Sequence, residues 1–136
     1  MKSLLLVLAL TLLPQAASQD VRKMLDGFTL SPSEHSIDLW DMPFEVASVQ
    51  GVALNPGGLE PELPSLLFEI RGPGNSKKIR RATTKDDGRF KIDAVPPGTY
   101  TFKATCYGFG SIVGTIVVSK SAPKSNAIKL LMHVDN

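Results

Sequence analysis

Between Ser65 and Val134 apolar residues recur at every second position in short stretches, and each stretch is cut off by a glycine- or proline-bearing turn. Leu66, Phe68 and Ile70 alternate with Leu67 and Glu69. Phe90 and Ile92 alternate with Arg89, Lys91 and Asp93. Tyr100, Phe102 and Ala104 alternate with Thr101, Lys103 and Thr105, and Ile128, Leu130, Met132 and Val134 share one face of the final stretch. A period of two is the signature of a strand with one buried and one wet face. The separators Gly72-Pro73-Gly74-Asn75, Asp86-Asp87-Gly88, Val95-Pro96-Pro97-Gly98 and Gly108–Gly110 are turn formers. In the second, Gly88 supplies the positive φ that a tight hairpin needs. Adding Lys77–Thr84, Ile112–Val118 and the earlier Val49–Leu54 gives seven strands, and no window carries a helical apolar stripe. Short alternating strands at this spacing predict an all-β, antiparallel sandwich.

The N-terminus is of another kind. Lys2 precedes an apolar run from Leu4 to Leu13, Pro14 ends it, and Ala16-Ala17-Ser18 offers small residues for cleavage after Ser18. This is the pattern of a secretory signal peptide over residues 1–18. The competing reading is an uncleaved anchor, but the run is roughly half the ~20 residues a spanning helix requires. The expected product is soluble and exported, periplasmic or secreted, and starts at Gln19. Residues 19–46 read as an irregular acidic segment with two weak extended patches, Gly27–Leu30 and Ser36–Trp40, able to add an edge strand. Residues 47–136 form the domain. An exported chain with Cys106 as its single cysteine can form no internal disulfide, so its fold rests on its hydrophobic core. Cys106 is then either a buried or half-buried thiol acting as a small hydrophobe or a surface thiol open to pairing between chains.

The second half of the sequence carries a resemblance. Thr84, then Asp86-Asp87-Gly88-Arg89-Phe90, then Pro96-Pro97-Gly98-Thr99-Tyr100-Thr101-Phe102 resemble the signature of carboxypeptidase regulatory-like domains. These are transthyretin-like, or prealbumin-like, β-sandwich modules found in many exported bacterial proteins. Val49–Leu54 is similar to the family's opening strand, and Gly108-Phe109 stands where the family usually has Gly-Tyr. The resemblance covers about residues 48–134. It implies a seven-stranded antiparallel Greek-key sandwich with Phe90 and Tyr100 as inward anchors. The stretch Asn55–Ser65 departs from the family's pattern by being longer and proline-rich. Such folds host many activities, so the resemblance says little about function.

Charge is uneven along the chain. Residues 19–70 hold nine acids against Arg22 and Lys23, whereas residues 71–136 hold twelve Lys and Arg against Asp86, Asp87, Asp93 and Asp135. The densest cluster is Lys77, Lys78, Arg80 and Arg81. Both faces of that strand would carry charge, as on an edge strand protected against sheet-to-sheet pairing. The alternative is a docking surface, with Lys91 and Lys103, for an anionic partner. No basic–aromatic interleaving points to nucleic acid.

His35 and His133 show no zinc-ligand spacing, and no nucleophile elbow or phosphate loop is present. A Cys106–His133 dyad has no support beyond the presence of both residues. No cofactor or metal is expected, and the expected function is a non-catalytic interaction or structural module of the cell envelope, with a protein or polysaccharide partner. The alternative is a carbohydrate-binding module. It would use exposed aromatic faces, with Trp40, Tyr107 and Phe109 as candidates, although Trp40 also suits a hydrophobic clamp over an open sandwich edge.

Overall fold

Alternating β-branched and aromatic residues favour extended chain because their side chains pack on a pleated surface. The computed structural model, which describes residues 23–31, 36–55 and 63–134, realises all seven expected strands. They are β3 (Val49–Leu54), β4 (Leu67–Arg71), β5 (Ile79–Thr83), β6 (Arg89–Ile92), β7 (Gly98–Thr105), β8 (Ser111–Val118) and β9 (Ile128–Leu131). Two more, β1 (Ile37–Leu39) and β2 (Phe44–Val46), arise from the segment expected to be irregular. The signal-peptide stretch, His35 and most of the Asn55–Ser65 loop lie outside the described residues.

The strands form two sheets. One has the order β1-β8-β7-β4-β5, with β2 also on β8, and the other has the order β6-β3-β9. The sandwich is therefore as expected, but it is not purely antiparallel. β1 and β2 both run parallel to β8, and β9 runs parallel to β3. Parallel neighbours cannot be joined by a tight hairpin, and here each parallel partner arrives from a distant part of the sequence. Of the two weak extended patches, Ser36–Trp40 supplies β1. Gly27–Leu30 is not a strand and follows a short helical turn at residues 23–25.

Between the sheets sits the core. Phe68, Ile70, Phe102, Ile112 and Ile116 from the larger sheet meet Val49, Phe90, Ile128 and Leu130 from the smaller one, all buried. Phe90 and Tyr100 both point inward as expected. Phe90 stacks on Phe68 at 4.2 Å, Phe68 stacks on Phe102 at 5.6 Å, and Phe44 of β2 meets Phe102 at 5.8 Å. Such ring pairs stabilise by about 0.5–1.5 kcal/mol each beyond the area they bury. Thr84 is buried just beyond β5. Its hydroxyl donates to the Leu63 carbonyl and accepts from the Leu66 amide, which fastens the entry to β4. The Tyr100 hydroxyl donates to the Pro96 carbonyl at 2.7 Å and pins the Pro-Pro-Gly corner.

Candidate functional site

The four residues of the basic cluster do not share a surface. Lys77 and Lys78 are exposed and precede β5. Arg80 and Arg81 are neighbours on β5, so their side chains leave on opposite faces. Arg80 turns toward the smaller sheet and donates to the carbonyls of Asp93 and Ala94, linking the two sheets at their open edge. Arg81 lies on the outer face, with its Nε 2.7 Å from the Glu69 carboxylate. β5 is the terminal strand of its sheet, the position in which charge on both faces protects against edge pairing. Lys103 is not beside the cluster on the surface. It is fully buried on β7 and donates to the Thr29 carbonyl. Lys91 belongs to the other sheet.

The aromatic candidates are likewise apart. Trp40 is 38% exposed and stacks on Phe44 at 5.5 Å with an interplanar angle of 13°. Its amide donates to the Val113 carbonyl. It forms the outermost ring of an aromatic series that continues through Phe44, Phe102 and Phe68 to Phe90. That is the geometry of a clamp closing the sandwich edge. Tyr107 is 82% exposed on the β7–β8 turn, and among the described residues it joins no ring pair. Phe109 packs against the core.

Cys106 is half-buried. Burial pushes its thiol up from the ordinary cysteine value, partly offset by a hydrogen bond from the Tyr107 backbone. An activated nucleophile needs the opposite shift. Alkylation of Cys106 by iodoacetamide is therefore expected to run several-fold slower at pH 7.5 than for a cysteine in an unstructured peptide. The rate should keep rising at pH values where the peptide has already reached its plateau. A plateau at or below the peptide's would contradict the assigned environment.

One surface was missed in the sequence. The outer face of the smaller sheet is a shallow open depression lined by Gln50, Val52 and Leu54 of the central strand, Arg89 and Lys91 of β6, and Lys129 of β9. The registers Gln50↔Lys91, Val52↔Arg89 and Val52↔Lys129 set these side chains in cross-strand rows. Lys85 completes the rim, and two carboxylates, Asp87 and Asp93, share it. Asp87 lies 3.7 Å from Arg89 and Asp93 lies 3.3 Å from Lys91, all four side chains being more than half exposed. Exposed pairs of this sort contribute roughly 0–1 kcal/mol, so a ligand can displace them. Among the described residues neither Lys85 nor Lys129 is in an ion pair. The signal in the sequence was the alternation itself, because Arg89, Lys91 and Lys129 all occupy the wet positions of their strands.

Among the described residues no group of three or more His, Cys, Asp or Glu is placed to hold a metal, and no helix is long and apolar enough to cross a membrane.

Residues 71–131 match the family model of the carboxypeptidase regulatory-like domain, from the last residue of β4 through β9. That family is a β-sandwich of transthyretin-like fold. The resemblance carried by Asp87-Gly88-Arg89-Phe90 and Pro96-Pro97-Gly98-Thr99-Tyr100 is thereby borne out. No curated protein matches the chain in sequence. Among solved structures, the crystal structure of chlorocatechol 1,2-dioxygenase from Pseudomonas putida aligns with 99% of this chain and 96% of that one, at 9% identity and a TM-score of 0.44. A likeness of that strength supports no inference about fold or activity.

Proposed function

We propose that this chain is an exported, non-catalytic binding module of the cell envelope, and that it docks an anionic polymer on the outer face of its smaller sheet. The observation that carries this reading is the set of cross-strand rows formed by Arg89, Lys91 and Lys129 around Val52 and Gln50. Four cations against two carboxylates on a shallow face give a positive surface without an enclosed cavity. Small-molecule sites bury most of their ligand, whereas an open charged depression suits an extended partner that is drawn in over a Debye length of ~8–10 Å. The signal-peptide pattern at residues 1–18 supports the exported address.

Charge reversal tests the reading. Arg89→Glu with Lys129→Glu is expected to lower retention on an acidic polysaccharide column at low salt by at least tenfold. Lys77→Glu with Lys78→Glu, outside this face, is expected to lower it by less than threefold. Both double variants should melt within a few degrees of wild type, because all four side chains are exposed. Equal losses in the two variants, or no retention of wild type at any salt concentration, would reject the assigned face.

A further inference from the structure

Glu69 and Lys103 stand on the face of the larger sheet that points away from the core, yet both are fully buried. They are direct cross-strand partners, and Glu69 also faces Arg81 on its other side. Residues 23–31 lie across them and account for the burial. Most of the contacts are directed at the backbone of that segment. The Thr29 amide donates to one Glu69 oxygen at 3.0 Å and its hydroxyl donates to the other at 3.0 Å. Lys103 Nζ donates to the Thr29 carbonyl at 2.6 Å. Arg71 Nη1 donates to the carbonyls of Met24 and Asp26, and its guanidinium lies 5.0 Å over the Phe28 ring. Phe28 is the segment's buried anchor.

Three carbonyls and one amide of a single segment are thus read by side chains of β4 and β7, while one aromatic ring and one hydroxyl supply sequence preference. This is peptide recognition, with the chain's own residues as the peptide. Every receptor group belongs to the sheet, so the contacts are the same whichever copy supplies the segment. We propose that the outer face of the larger sheet is a peptide-docking groove whose partner in trans is residues 23–31 of a second copy, exchanged reciprocally between two chains. Exchange of an identical element loses no contact and is a low-cost route to a dimer. A segment tethered in cis competes at an effective concentration on the order of 1 mM, so exchange is favoured where chains are crowded or held side by side.

Two full-length variants separate the halves of the device. Phe28→Ala damages the segment and keeps the groove, whereas Arg71→Gln damages the groove and keeps the segment. Each alone is expected to sediment as a monomer, and an equimolar mixture at several hundred micromolar is expected to contain a 1:1 dimer. The doubly substituted chain should pair with neither. A mixture that stays monomeric at that concentration, with both variants folded by circular dichroism, would overturn the proposal. Should either variant fail to fold, full-length Thr29→Ala is titrated with a labelled peptide copying residues 22–31. Binding is expected, together with at least tenfold weaker binding to wild type, whose groove is filled in cis. Absence of binding to Thr29→Ala at millimolar peptide, or equal binding of a scrambled peptide, would show that the groove does not take this segment from another copy.

Discussion

Replacing Gly51 with alanine is expected to cost about 3 kcal/mol or more, toward or beyond the upper end for overpacking a well-filled core. Gly51 lies at the middle of β3, the central strand of the smaller sheet, opposite Phe90 on one side and Ile128 on the other. A Cβ placed there would sit 2.0 Å from the Ile128 carbonyl oxygen and 2.7 Å from the tip of the Phe90 ring. The ring can tilt away. The carbonyl is backbone in a paired strand, so relief requires β9 to move off β3. For a chain of this size each kcal/mol lowers the melting temperature by roughly 4 °C, which gives a fall of about 12 °C or more in a thermal melt followed by circular dichroism. Shortening the ring in the same chain, as Gly51→Ala with Phe90→Leu, should not restore stability. A Gly51→Ala protein that melts within 2–3 °C of wild type, inside the usual range for surface changes, would mean that β9 does not pair with β3 in this register.

Truncating Phe90 to alanine is the second large effect, expected at about 3–5 kcal/mol for a buried aromatic. Phe90 is 4% exposed and stacks on Phe68 across the sandwich. Removing the ring leaves a cavity between the sheets and ends the stacked series that begins at Trp40. Because domains of this kind have about 5–15 kcal/mol of total stability, the variant loses a large part of its margin. Chemical denaturation should show a lower midpoint with an unchanged slope. A midpoint equal to that of wild type would place Phe90 outside the core.

The two substitutions share a contact, so their energies should not add. The Gly51 position faces the Phe90 ring, and a double variant Gly51→Ala with Phe90→Ala removes the ring clash while leaving the carbonyl clash. The combined loss is expected to be smaller than the sum by about 0.5–1 kcal/mol or more, as is usual for residues in contact.

Much of the sandwich was legible without coordinates. The period-two runs placed β4, β6, β7 and β9, where alternation shows along the strand, and neighbouring turn residues marked off β3, β5 and β8. Phe90 and Tyr100 were recognisable as inward because their neighbours Arg89, Lys91, Thr99 and Thr101 are polar. The edge position of β5 was readable from charge on both faces. By contrast, β1 was readable only as the weak extended patch Ser36–Trp40, β2 is three residues long and too short for any period to show, and the parallel pairing of both with β8 depends on chain that is distant in sequence. The cationic face of the smaller sheet was visible residue by residue but not as a unit, since Arg89 and Lys91 meet Lys129 only through the register of β3 with both neighbours.

Lys103 shows the division most sharply. Its place at a wet position of an alternating strand was determined by sequence alone, and alternation is a property of neighbours along the chain. Its burial was decided by residues 23–31, which contact it from 74 positions away. Local pattern determines which face of a strand a side chain occupies, because successive Cβ atoms point to opposite sides. Whether that face meets water depends on what else the folded chain lays over it. For Glu69, Arg71 and Lys103, only the tertiary structure made that choice.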